Sequence, residues 1–142
     1  MMKEKRAQVS LEYLLIFSIS LIILIAFTMP LLKQSMDNTF DVSDALKSKS
    51  DLSKISHAIS QVYGEGQGSR QTVTIETTSA VKMDTAGNHI TSTIKLKDGK
   101  NKVEKINVKS KLKTNTFKLN KGIHTFVVEW PVGSENMIIY QK

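Results

Sequence analysis

Residues 7–32 run AQVSLEYLLIFSISLIILIAFTMPLL, and from 11 to 32 only Glu12, Ser18, Ser20, Thr28 and Pro30 interrupt the apolar side chains. A bilayer core takes roughly 20 such residues in a helix, so this run is long enough to span one. The seven residues before it, MMKEKRA, set Lys3, Lys5 and Arg6 against Glu4. Positive charge on that side keeps the N-terminus cytoplasmic and places the chain beyond Leu32 outside.

A secretory signal peptide is cut after its apolar stretch, at a small residue. Residues 25–34, IAFTMPLLKQ, offer no good site of that kind, and the small residue, Ala7, precedes the run instead. Cleavage at Ala7–Gln8 leaves the apolar segment on the mature protein and creates a new amine at Gln8. Glu12 stands four residues on, about one helical turn. A carboxylate at the edge of a membrane-spanning run is costly without a partner, and the amine is one. Within a chain the two attract; between chains, one subunit's amine meeting another's Glu12 fixes their axial stagger. The blander readings make Glu12 an interfacial carboxylate on a single-span anchor and Ser10 a helix N-cap.

The helical pattern continues past the apolar run. Leu32, Met36, Phe40 and Ser43, then Leu52, Ile55, Ile59 and Val62, recur at spacings of three and four, with Lys47, Lys49, Asp51 and Lys54 largely off the stripe. The spacing predicts one helix over 8–63, about 80 Å long. Pro30 lacks an amide donor and clashes with the preceding turn, so a kink is expected there. GEGQGS, 64–69, ends the helix and begins a linker over 64–70. A phosphate loop would need a strand before it and a helix after it.

Residues 71–142 read as β. Val73, Ile75 and Thr77 share a face, as do Ile90, Ile94 and Leu96; Ile106, Val108 and Leu112 oppose Lys105, Lys109, Lys111 and Lys113. Turns are expected at Ala86-Gly87-Asn88, Asp98-Gly99, Lys121-Gly122 and Val132-Gly133-Ser134. The apolar positions flanking Asp98-Gly99 are even-numbered on both sides, so partner numbers must sum to an even value. That excludes a two-residue loop and predicts three or five residues, with a glycine bulge. The fold class is therefore α+β: a long N-terminal helix carrying a C-terminal antiparallel β head, a lollipop, with the Leu52-to-Val62 stripe covering the sheet's apolar side.

At residues 1–30 the chain resembles a known family. A lysine-rich leader, Ala7, Gln8, Ser10, Glu12 and an apolar helix resemble the class III signal peptides of euryarchaeal type IV pilins, whose pattern is Q-x-S-x-E with Leu four residues after the Glu; Ile16 stands there. Archaellins carry the same signal type but Gly-rich, Ala/Val-rich first turns. The resemblance implies cleavage between Ala7 and Gln8 by a membrane prepilin peptidase, and assembly by an ATPase and a membrane platform protein. It implies a helical homopolymer, an extracellular adhesive filament at the cell surface, whose core holds Leu11, Leu14, Leu15, Phe17, Leu21, Leu24 and Phe27. The precursor sits in the membrane before assembly. The alternatives are a minor pilin or pseudopilin of a secretion or uptake machine, and a membrane-anchored extracellular binding module that never polymerises.

Composition bounds the rest. The net charge is +7, carried by 18 Lys and 2 Arg, and there is no Cys to form a disulfide or thiolate site. Arginine is the residue of bidentate phosphate recognition, so its scarcity argues against a specific nucleic-acid reader. The lysines of the β region read first as a solvated face, then as a contact for an anionic surface, a glycan or DNA. His57, His89 and His124 fall in no metal-ligand spacing, and no nucleophile, paired-carboxylate or phosphate-loop motif occurs. No enzyme activity, metal or cofactor is expected. No Asn-x-Ser/Thr sequon occurs either.

Overall fold

The computed structural model describes residues 2–142, with side chains from residue 3. A helix, α1 (Met2–Glu65), precedes five strands: β1 (Arg70–Thr77), β2 (Val81–Lys95), β3 (Asn101–Leu119), β4 (Gly122–Glu129) and β5 (Ile138–Gln141). The fold is α+β with antiparallel strand pairs, as the periodicity predicts. The chain divides into two compact units, one ending at Thr39 and the other spanning Phe40–Lys142.

The first unit consists of α1 residues alone. Its side chains from 3 to 36 are all exposed. Ser18, Ser20 and Thr28 donate their hydroxyls back to the carbonyls of Leu14, Ile16 and Leu24 at 2.8, 2.8 and 2.6 Å. Each of these hydroxyls is thereby satisfied within the helix, which suits a surface made to meet an apolar environment. The helix runs without interruption through Pro30, whose missing N–H leaves the Ala26 carbonyl without its usual donor.

The second unit has its own core. Leu52, Ile55, Ile59 and Val62 of α1 are buried together with Ile75, Ile90, Leu112, Phe126, Val128 and Met137. Phe117 and Phe126 meet edge to face at 5.2 Å. The expected Leu52-to-Val62 stripe thus covers the β region. Leu32, Met36, Phe40 and Ser43 are exposed, and from 41 to 51 the inward positions include Asp41, Asp44, Ala45, Ser48 and Asp51. Asp51 lies on the buried face and not off it: it is four residues before Ile55, on the same side of the helix.

The strands form two sheets, not one: a three-stranded sheet in the order β1-β4-β5 and the two-stranded β2-β3. A parallel bridge between Leu112 and Met137 joins them, with the Lys113 N–H donating to the Met137 carbonyl and the Met137 N–H to the Lys111 carbonyl, both at 2.9 Å. The β2-β3 hairpin obeys the parity argument. Lys95 pairs with Asn101 and Ile94 with Lys102, both even sums, and the Leu96 N–H donates to the Lys100 carbonyl at 2.8 Å around Lys97, Asp98 and Gly99. Gly99, at φ 85°, takes the left-handed position of this three-residue loop.

Ala86-Gly87-Asn88 is not a turn. It lies inside β2, where the register slips on both sides of Gly87 and that glycine sits at φ 55°. The extra residues fall on β3, so the inward set changes from Ile106, Val108 and Leu112 to Phe117 and Leu119. Nor are residues 66–69 a loose linker. The Gly68 N–H donates to the Trp130 carbonyl at 2.7 Å, and the Trp130 N–H to the Ser69 carbonyl at 3.1 Å, extending the β1-β4 ladder toward the helix end. The helix ends two residues later than expected, at Glu65, and β1 starts at Arg70.

Candidate functional site

The N-terminal site is built on a helix that already runs through the leader. Ala7, Gln8, Ser10, Glu12 and Ile16 are all helical and all exposed. Gln8, Glu12 and Ile16, at steps of four, fall on one face with about 6 Å of rise between successive members, while Ser10 projects elsewhere. Ser10 is inside α1, which begins at Met2, so it does not cap the helix of the uncut chain. The Ala7–Gln8 bond lies between one and two turns from the helix start, at the junction of the basic leader and the apolar run. Glu12 makes no ion pair among the described residues, and its neighbours Leu11, Leu14, Leu15 and Phe17 are 55–66% exposed. Leu21, Leu24 and Phe27 continue that surface, with Phe27 72% exposed. The arrangement is a carboxylate at the margin of an apolar helix surface, both exposed among the described residues.

The second unit holds a polar set that the apolar spacing did not reveal. The Lys97 N–H donates to Asp41 Oδ1 at 3.1 Å, and Lys97 Nζ stands 4.4 Å above the Phe40 ring. Thr78 donates to Asp44 Oδ1 at 2.6 Å. Ser48 and Ser92 share a buried hydrogen bond of 2.6 Å. These contacts tie residues 40–48 of α1 to β2 and the β2-β3 hairpin tip, and to the end of β1. Next on that face is Asp51, 5% exposed, whose Oδ1 has no hydrogen-bond partner; Lys54 Nζ is 3.8 Å away. Burial pushes the Asp51 carboxyl above its ordinary value; the Lys47 and Lys54 charges pull it down in part, and Glu76 adds to the rise. Carboxylates at 41, 44 and 51, separated by three and seven residues and so on one side of the helix, were the available signal.

His57 is exposed. His124 Nε2 lies 2.7 Å from the Asn120 carbonyl, and its Nδ1 is 3.1 Å from Gln141 Nε2. Among the described residues no three His, Cys, Asp or Glu side chains are placed to hold a metal ion.

A helix long and apolar enough by length and composition to cross a membrane, led by a basic segment and followed by a β-rich unit, defines a class: proteins with an N-terminal membrane-competent helix and a folded β domain. A family model described as Class III signal peptide matches residues 5–31, the stretch that contains Ala7, Gln8, Ser10, Glu12, Ile16 and Pro30. The N-terminal segment is therefore similar to the signals of type IV pilin-like proteins, and such a signal implies processing by a prepilin peptidase. No curated protein and no solved structure matches the chain.

Proposed function

We propose that the chain is the precursor of a structural, non-catalytic subunit of an extracellular type IV pilus filament that serves adhesion. The prepilin peptidase cuts between Ala7 and Gln8 and removes the basic leader. The mature chain waits in the membrane with its N-terminus on the cytoplasmic side, until the assembly ATPase and the membrane platform protein draw it out laterally. The helices then pack on one another through Leu11, Leu14, Leu15, Phe17, Leu21, Leu24 and Phe27, and the Glu12 carboxylate of one copy meets the Gln8 amine of another.

One observation carries the reading. The apolar window of α1 has a mean hydropathy of 2.6 and no buried residue, and the apolar run carries at its start a carboxylate with no ion-pair partner among the described residues. In lipid that surface is solvated by acyl chains. Outside lipid, each fully exposed Leu, Ile or Phe side chain costs about 1.5–3 kcal/mol, so the extracted helix requires like surfaces against it. Helix-on-helix packing between copies supplies them and places each Glu12 beside an amine created by cleavage.

Mass spectrometry of the membrane fraction and of filaments sheared from cells, with the natural Glu12 and with Glu12→Ala, tests this. The expected result is a mature chain beginning at Gln8, abundant in sheared filaments, and cut but absent from filaments in Glu12→Ala. A chain that retains Met1 or Met2 and stays in the membrane would leave a single-span surface anchor instead.

A further inference from the structure

The exposed side of β3 carries Lys105, Lys109, Lys111 and Lys113. Where consecutive members sit two residues apart, they repeat at about 6.6 Å along the strand. None of the four forms an ion pair among the described residues, whereas Lys82, Lys100 and Lys102 each have an acidic neighbour within 3.1–3.8 Å. With its other lysines and Glu104, β3 alone carries five net positive charges, six Lys against one Glu. A shallow groove passes Lys109 and Lys111 and is flanked by Asn88 and Asn136, whose exposed amides both donate and accept hydrogen bonds. A row of like charges without ion-pair partners along one strand costs self-repulsion, which an extended partner of opposite charge removes.

We infer that the outer face of β3 is a binding surface for a linear anionic polysaccharide, held by the four ammonium groups through its acidic groups and by the flanking amides through its hydroxyls. The alternative polyanion, nucleic acid, fits less well. Phe117 is the single Phe, Tyr or Trp of β2 and β3 and is buried, and neither strand contains Arg; the one ring beside the lysine row is the partly buried His89 imidazole, paired with Asn107. The face therefore has no Phe, Tyr or Trp platform on which successive bases could stack and no bidentate phosphate fork. The inference concerns the β unit's own surface and does not depend on polymerisation.

The test uses the full-length chain in non-ionic detergent, with fluorescence anisotropy of labelled heparin as the sulfated polysaccharide. Duplex DNA of matched total charge and neutral dextran are the comparisons. Replacing Lys105, Lys109, Lys111 and Lys113 by Gln is expected to weaken heparin binding by at least about tenfold. Replacing Lys33, Lys49, Lys121 and Lys142 by Gln removes the same charge elsewhere and is expected to change it less than about twofold. Circular dichroism melts verify that both variants fold. Should the quadruple variant melt early, Lys105→Gln/Lys109→Gln and Lys111→Gln/Lys113→Gln made as separate pairs should each give part of the loss. Equal loss in the two quadruple variants would reduce the effect to bulk charge and overturn the inference. So would tighter binding to duplex DNA than to heparin, or no saturable heparin binding.

Discussion

Glu12 and Asp51 are both carboxylates on α1, and their surroundings give them opposite problems. Glu12 is exposed beside an apolar surface and, in the proposed filament, takes its partner from another chain. Asp51 is buried against its own β unit, and its nearest cation, Lys54, stands at 3.8 Å, beyond hydrogen-bonding range. Burial raises the Asp51 pKa above 3.8, its value in the unfolded chain. Below pH 3.8 the group is neutral in both states and costs nothing. As pH rises above that value the unfolded chain releases its proton first, so stability is lost until the folded carboxyl has also ionised. Asp51→Asn keeps the shape and does not ionise. It is expected to melt higher than the natural protein at neutral pH, by on the order of 1 kcal/mol or about 4 °C. The difference should open only above pH 3.8, as thermal melts from the acid side of that value up to neutrality will show; a constant gap across that range would assign the effect to packing. Of these two residues, Glu12 was legible in the sequence, because a charge inside an apolar run is conspicuous. Asp51 was not, since it sits among alternating polar residues and only its four-residue offset from Ile55 marks it as inward.

Among the elements, the hairpin and the helix stripe were legible for a physical reason. Side chains alternate strictly along a strand, so the parity of the apolar positions limited the β2-β3 loop to an odd length without any knowledge of the fold. The same strictness misled at Ala86-Gly87-Asn88, whose residue types suit a chain reversal and a register slip equally well. Only the pairing of Gly87 with Leu112, and not with an even-sum partner, distinguishes them. The division into two sheets was equally hidden, because it depends on which strands find one another. The stripe is the firmer element. Ile59 is 1% exposed in the core shared by α1 and both sheets. Ile59→Ala should cost about 2–5 kcal/mol through lost burial and the cavity left behind, read as a fall in the urea midpoint with unchanged slope. The same truncation at Ile22, 65% exposed in the first unit, should leave that midpoint unmoved.

At the scale of the whole molecule, the chain combines two solvents' worth of sequence. In the first unit Ser18, Ser20, Thr28 and Thr39 satisfy their hydroxyls within the helix, and the apolar side chains of 3–36 face outward. Residues from 40 on bury their apolar side chains against one another. The boundary falls between Thr39 and Phe40, inside the helix and well before the glycine-rich segment at 64–69. Composition pointed to that segment because glycines mark the end of the helix, but a helix end is not a domain end when the preceding turns supply one wall of the core. Every buried member of that core, from Leu52 to Ile139, lies beyond the boundary, as do the Asp41–Lys97 and Asp44–Thr78 hydrogen bonds. A chain of residues 40–142 should therefore be soluble without detergent, remain monomeric and melt in one cooperative transition. Sedimentation velocity and circular dichroism check this. If that chain aggregated, or melted without cooperativity, the apolar segment would have to contribute to the β unit's stability. If it behaves as expected, the β unit folds without the apolar segment, and a loss of the proposed filament in Glu12→Ala can be attributed to assembly and not to the fold.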